Sequence, residues 1–191
     1  RTKAWSSPVR ITSNSYLDDL PLIRKDSVNG KLHAMWRSNP SSRTVGSTAD
    51  PATSDIIQHA IYDDSQHVWS EPVAIFTSGG IQSWDFDVEH GAGAFVAAVE
   101  AANDDDDATD TEIKSLVFDG TSWKVPDVEL TSDNIQDAAP FVVMTSPDGA
   151  LVTWLHGSDL VAKELSILGF PPPVKSTKQT GAEDGNGFHV L

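Results

Sequence analysis

An aromatic-x-x-proline signature recurs along this chain, and it constrains the fold more than any other feature. Trp5-Ser6-Ser7-Pro8-Val9 is echoed by Trp69-Ser70-Glu71-Pro72-Val73 and by Trp123-Lys124-Val125-Pro126. Phe170-Pro171-Pro172-Pro173-Val174 is a weaker fourth copy. The copies start 64, 54 and 47 residues apart. Self-similarity at such a period marks an array of supersecondary units that bury their faces on one another.

The unequal spacing is compatible with an array because the extra residues fall in one place. Each aromatic is followed by an extended run: Pro21-Leu22-Ile23, Asp85-Phe86-Asp87-Val88 and Pro140-Phe141-Val142-Val143. Turn residues come next, at 26–30, 90–93 and 146–149, then second apolar runs at 32–36, 94–99 and 150–155. The length differences sit after that second run, at 38–55, 101–110 and 157–159. Insertions confined to one surface loop cost a stacked repeat little. Third runs resume at 57–62, 113–118 and 160–168, and the next Trp opens a fourth. The runs alternate apolar and polar residues, are rich in Val, Ile, Phe and Trp, and are bounded by Gly, Pro, Asn and Asp, which predicts β-strands. Asp119-Gly120 and Asp148-Gly149 are hairpin signals. No segment holds a helical period over three turns.

Four-stranded antiparallel units in tandem resemble the blades of a β-propeller. The resemblance covers about residues 5–175 and is similar to generic sialidase-like and other bacterial surface propellers. No WD40 signature recurs. Ser146-Pro147-Asp148-Gly149 with Trp154 is a distorted form of the sialidase Asp-box, so sialidase chemistry does not carry over. The expected fold is all-β: a partial β-propeller of about three blades, one segment over 1–191, with units at about 20–76, 84–131 and 139–175 and partial units at both ends. Three blades are too few to close the usual ring. Residue 1 is Arg and the chain closes on Phe188-His189-Val190-Leu191. The chain therefore reads as part of a larger ring, completed by blades of the same or another polypeptide; the alternatives are a complete chain that finishes a ring by oligomerising or by pairing with another chain, and an open β-sandwich of about a dozen strands. The repeated Trp residues are expected to pack between sheets, and Pro8, Pro72 and Pro126 to sit on edge strands.

Charge and composition narrow the partners. Thirteen Lys and Arg stand against 28 Asp and Glu, a net charge of −15. That argues against a phosphate-binding surface for nucleic acid and against an anionic membrane face. No apolar run reaches the ~20 residues of a spanning helix. The absence of Cys removes disulfides, thiolate catalysis and Cys-ligated zinc.

The candidate metal ligands are Asp104, Asp105, Asp106, Asp107 and Asp110, a cluster of hard oxygens suited to Ca²⁺. Its spacing is not that of an EF-hand loop, and the competing reading is a solvated acidic loop tip. Asp18-Asp19 and Asp63-Asp64 read as turn residues accepting backbone hydrogen bonds. Six His are scattered without a metal spacing; His33 and His156 fall in equivalent second strands, read as structural histidines or as a pair facing a central channel. No Gly-x-Ser-x-Gly elbow or phosphate loop occurs. The five Arg all lie in the first quarter, so a sialidase-type arginine cluster is not supplied. No catalytic or cofactor-binding residue is assigned.

These features point to a non-catalytic binding or scaffold module of a larger secreted or cell-surface protein, expected to be bacterial, with a glycan or protein as its ligand. One alternative is part of a carbohydrate-active hydrolase or lyase with site residues on other blades. Another is an oligomeric lectin, with Trp36, Trp84 or Trp154 stacking on sugars.

Overall fold

The computed structural model describes residues 7–26, 30–40, 54–88, 95–102, 110–118, 122–124, 130–146 and 149–166. They form twelve strands and, among the described residues, no helix. The first sheet contains β1 (Leu17–Lys25), β2 (Leu32–Asn39), β3 (Asp55–Asp63), β4 (Val68–Trp69) and β5 (Val73–Ser78). The second contains β6 (Ile81–Val88), β7 (Phe95–Ala102), β8 (Thr111–Phe118) and β9 (Trp123–Lys124), and the third β10 (Asp137–Ser146), β11 (Gly149–His156) and β12 (Asp159–Ser166). Each sheet is an antiparallel meander in chain order, with β4 and β5 both pairing β3. The chain is therefore all-β, with the sequential antiparallel sheets of a partial β-propeller.

The second sheet is buried on both faces. Its strands β7 and β8 consequently read as nearly continuous apolar runs rather than alternating ones. Val96 and Ala98 join Ile113, Val142, Val152 and Trp154 in a core shared with the third sheet. The intervening Ala97 and Val99 join Met35, Ile57, Phe86 and Leu116 in a core shared with the first sheet. Strand periodicity thus sends alternate residues of β7 into two different cores.

Proline shapes the edges. Between β4 and β5 the fourth run is broken at Ser70-Glu71-Pro72, where Pro72 has no N–H to offer the ladder. Ser70 bridges the break: its N–H donates to the Ile61 carbonyl at 2.8 Å and its Oγ accepts the Ile61 N–H at 3.0 Å. The first strand of every sheet carries a register shift near its start: Asp19/Leu22, Ile81/Ser83 and Ala138/Phe141. In two of them the residue before Pro is left-handed, Leu20 with φ 49° and Ala139 with φ 52°. For such residues that conformation costs about 1–2 kcal/mol each, which the surrounding pairing must offset.

Two expectations need correction. Asp18 and Asp19 are not turn residues: they lie within β1, where Asp18 accepts from the Ser38 hydroxyl and Asp19 binds Arg37. Trp36, Trp84 and Trp154 are 6%, 7% and 4% exposed, so none offers a face to a sugar. Trp84 and Trp154 fill the space between sheets, and Trp36 packs with Ala34 and Ala60 on the other face of the first sheet, against Ile11 and Trp69. Asp63 does behave as a turn residue. Its Oδ1 accepts the N–H groups of Ser65 and Gln66 and the Ser65 hydroxyl, and these bonds hold its pKa below the ordinary carboxylate value.

Candidate functional site

Polar side chains gather where one sheet meets the next. At the first junction, β2 and β3 present His33 and His59, which stand diagonally across the strand pair because His33 faces Ile61 and His59 faces Met35. The imidazole planes are 7° apart with centroids at 5.3 Å, and His33 Nδ1 lies 3.1 Å from His59 Nε2. Trp123 of β9 donates its indole N–H to His59 Nδ1 at 3.3 Å. An indole nitrogen can only donate, so His59 Nδ1 is the acceptor and its proton sits on Nε2. That proton is then donated to His33 Nδ1. The chain of donors requires both rings neutral. Burial agrees: it pushes the His33 and His59 pKa values down to about 4, with His33 adding to the depression at His59. Trp123 thus packs between sheets, as the repeat predicts.

Arginine completes this junction. Arg37 grips Asp19 with two bonds, Nε to Oδ1 at 2.8 Å and Nη2 to Oδ2 at 2.6 Å, and donates Nη1 to the Ile81 carbonyl of the second sheet. Arg24 reaches Asp85 of β6 at 2.7 Å.

The second junction is built from carboxylates. Asp85 Oδ2 accepts the Val142 N–H and Asp87 Oδ2 the Met144 N–H, each at 2.9 Å. Glu100 accepts from the Ala139 N–H at 3.1 Å and from the Ser83 hydroxyl. The Thr111 hydroxyl donates to the Asp137 carbonyl at 2.6 Å.

Beside this junction, at the start of β10 and the end of β11, Asp137 stands directly opposite His156. Asp137 is fully buried. Its Oδ1 accepts from Trp154 Nε1 and from His156 Nδ1, each at 2.9 Å, while its Oδ2 is buried with no hydrogen-bond partner. Asp133 approaches from the same end, with Oδ2 3.9 Å from His156 Nε2. Hydrogen bonding to Asp137 raises the His156 pKa above its ordinary value, with Asp133 and Asp159 adding to it. One ligand atom from each of Asp133, Asp137 and His156 lies within 4.8 Å of the others. Close by, Glu112 is fully buried with both carboxylate oxygens unbonded; Thr131 lowers its pKa without meeting hydrogen-bond geometry. Burial dominates and raises the Glu112 pKa, and Asp137, Asp110 and Asp133 push the same way.

Of the sequence-derived metal ligands, Asp104, Asp105, Asp106 and Asp107 lie outside the described residues. Asp110 is half-buried just before β8, with Oδ1 buried and unbonded. His33 and His156 do not share a channel: His33 pairs with His59 and His156 with Asp137. Sequence reasoning missed both of these pairings and the Asp133–Asp137–His156 group.

No family profile and no curated protein matches this sequence. Solved structures do match. One is a polysaccharide lyase of family PL25, an ulvan lyase, and another is that lyase bound to -[GlcA(1-4)Rha3S]-. Each superposes with a TM-score of 0.53 at 12% identity over 88% of this chain. The chain spans 44% of the lyase's length. At that identity the likeness defines the fold. No helix among the described residues is long and apolar enough to cross a membrane, a statement that does not bear on β-barrels.

Proposed function

We propose that this chain is a non-catalytic scaffold segment of a carbohydrate-active β-propeller protein that works outside the cell. The observation that carries the reading is the superposition of 88% of the chain on a polysaccharide lyase. The geometry favours scaffold over catalytic centre. Acid–base catalysis needs a side chain within hydrogen-bond reach of the substrate proton. His33 and His59 are buried 2% and 5% exposed, and are committed to each other and to Trp123. Arg24 and Arg37 are held in ion pairs within the fold.

The rest of the ring is the proposed partner. The third sheet packs Val142, Met144, Val152 and Trp154 against the second. Its opposite face carries Phe141, Val143, Leu155 and Leu160, exposed at 57%, 39%, 42% and 74%. An apolar sheet face of this kind suits a neighbouring blade of the same ring. The lyase is more than twice as long as the stretch matched here, which leaves room for such blades.

A second reading, that the chain contributes to an active site, is favoured by one feature: His156 is partly exposed and oriented by a carboxylate. Both readings are tested by incubating the protein with neutral glucans and with uronate polysaccharides, including a sulfated glucuronate–rhamnose polymer. Binding is read by calorimetry and cleavage by the ultraviolet absorbance of unsaturated uronide ends. The scaffold reading expects binding without cleavage. Cleavage abolished by His156→Gln would establish the enzymatic reading instead, and no binding to any glycan would remove both.

A further inference from the structure

We infer that the chain pairs head to tail with a second copy of itself, the outer face of each third sheet receiving the first sheet of the other copy. This rests on the ring proposed above and names what completes it.

The ladders align the three sheets residue by residue. Leu20 and Ala139, each left-handed before a proline, anchor the first sheet to the third, so Leu22↔Met35 corresponds to Phe141↔Thr153. The aromatic pairs Tyr62↔Trp69 and Phe118↔Trp123 anchor the first sheet to the second. Carried along the pairings, these anchors make Ile23, Phe86 and Val142 equivalent positions, and likewise Ile57, Ile113 and Leu160.

Both internal junctions use these positions in the same way. Ile57 and Phe86 share the core between the first two sheets, and Ile113 and Val142 share the core between the second and third. All four are buried, and β10 lies across β6, β7 and β8 of the sheet before it. The remaining member of each set stands at an end of the array. Leu160 is 74% exposed and Ile23 is 55% exposed. Positions buried at both inner junctions and bare at both ends are the two halves of a further junction. Phe141, Val143 and Leu155 extend the apolar surface around Leu160. At the other end, Ile11 and Trp69 pack against Ala34, Trp36 and Ala60 and leave Ile23 bare.

The charges of the two ends also match. Met144 and Val117 share the core of the second junction. Their equivalents at the ends are Lys25 in the first sheet and Glu164 in the third, both exposed. Docking as the inner sheets dock brings Lys25 of one copy to Glu164 of the other, and Ile23 of one copy to Leu160 of the other. Each end of the chain thus fits the chain's own other end, which a second copy supplies twice. A head-to-tail contact forms a ring when its rotation closes. Two chains of three sheets give six, within the four to eight blades of a propeller.

The test is sedimentation of the full chain over a range of concentrations. The expected species has twice the chain's mass of 20.5 kDa. Leu160→Asp should abolish it while leaving the urea midpoint of the monomer intact, because the side chain is exposed there. Lys25→Glu and Glu164→Lys should each weaken association at least about tenfold, since like charges then face one another at both contacts. The double charge reversal should restore it, which a merely structural defect would not. A parent protein that stays at 20.5 kDa would overturn the inference, as would a dimer indifferent to Leu160→Asp and to both single reversals. So would growth beyond two chains, the sign of a contact that does not close. A monomer that still binds glycan removes this inference alone, and a dimer that binds none removes only the function proposed above.

Discussion

Acid should loosen the junction between the first two sheets, and the amount can be worked out from the histidine pair. Both His33 and His59 have folded pKa values of about 4 against an ordinary value of 6.5. A depression of 2.5 units corresponds to about 3 kcal/mol for one proton, at about 1.4 kcal/mol per unit. The sign follows from which state binds the proton. The unfolded chain protonates its histidines below pH 6.5, while the folded chain resists until about pH 4. Stability is therefore complete above pH 6.5 and falls as pH drops from 6.5 to 4. With both sites titrating, the slope approaches about 2.7 kcal/mol per pH unit. That is steep for a fold whose total stability is about 5–15 kcal/mol. His156, whose folded pKa is raised, contributes stability that is lost as pH rises through that pKa, so it does not act in this window. Glu112 opposes the fall, because its raised pKa favours proton uptake by the folded state. The assay is urea unfolding followed by tryptophan fluorescence, at steps from pH 7.5 to 4.5. The control is the His33→Gln/His59→Gln double variant, which lacks both titrating groups and should show a flatter profile from a lower starting stability. A parent profile flat between pH 6.5 and 5, or an equal slope in the double variant, would refute the neutral-pair assignment.

Other perturbations address single contacts by the same unfolding assay. Trp123→Phe keeps the ring against Phe118 but removes the donor to His59, and should cost about 1–3 kcal/mol because a buried acceptor loses its partner. It should also shift the acid transition, since His59 Nδ1 becomes free to take a proton. Arg37→Lys keeps the charge but cannot reproduce the two-pronged grip on Asp19 together with the bond to the Ile81 carbonyl, a loss of about 1–3 kcal/mol. Asp85→Asn weakens contacts to two sheets at once, Arg24 in the first and the Val142 N–H in the third. A cost of about 2–3 kcal/mol is expected, and a double-mutant cycle with Arg24→Gln should recover a coupling that vanishes if the pair is only a surface contact.

How much of this is legible in the sequence depends on the length scale. Strand positions are legible because each is set by a local run of alternating residues bounded by turn formers: the third runs expected at 57–62 and 113–118 lie within β3 and β8. The burial of β7 on both faces is written in its Ala- and Val-rich run. Side-chain partnerships are not legible, because they depend on register. His33 and His59 meet only once β2 and β3 are aligned, and the long 40–54 connection does not specify that alignment. The Asp137–His156 pair shows the same limit more sharply. Counted straight back from the Ser146↔Gly149 pair, Asp137 would stand opposite Ser158. Two bulges each slip the register by one residue and bring His156 there instead. One of them, between Ala138 and Phe141, accompanies Pro140 and the left-handed Ala139, features that mark an irregularity without giving its size; the other falls between Met144 and Ser146.

The acidity of the chain has a structural logic in the junctions. The first strands β6 and β10 each pair on one side only within their own sheets. Their other edges present backbone groups that must find partners or water. The preceding sheet supplies partners as side chains. Asp55 accepts the Ile81 N–H at the start of β6, while Asp85, Asp87 and Glu100 accept the N–H groups of Val142, Met144 and Ala139 along β10. A carboxylate accepting a backbone N–H makes a charge-assisted bond, stronger than a neutral one. It also offers a geometry that a second copy of the edge strand cannot, so the capped edge is closed to unplanned strand addition. Carboxylates used in this way are withdrawn from chemistry and spent on holding one sheet to the next.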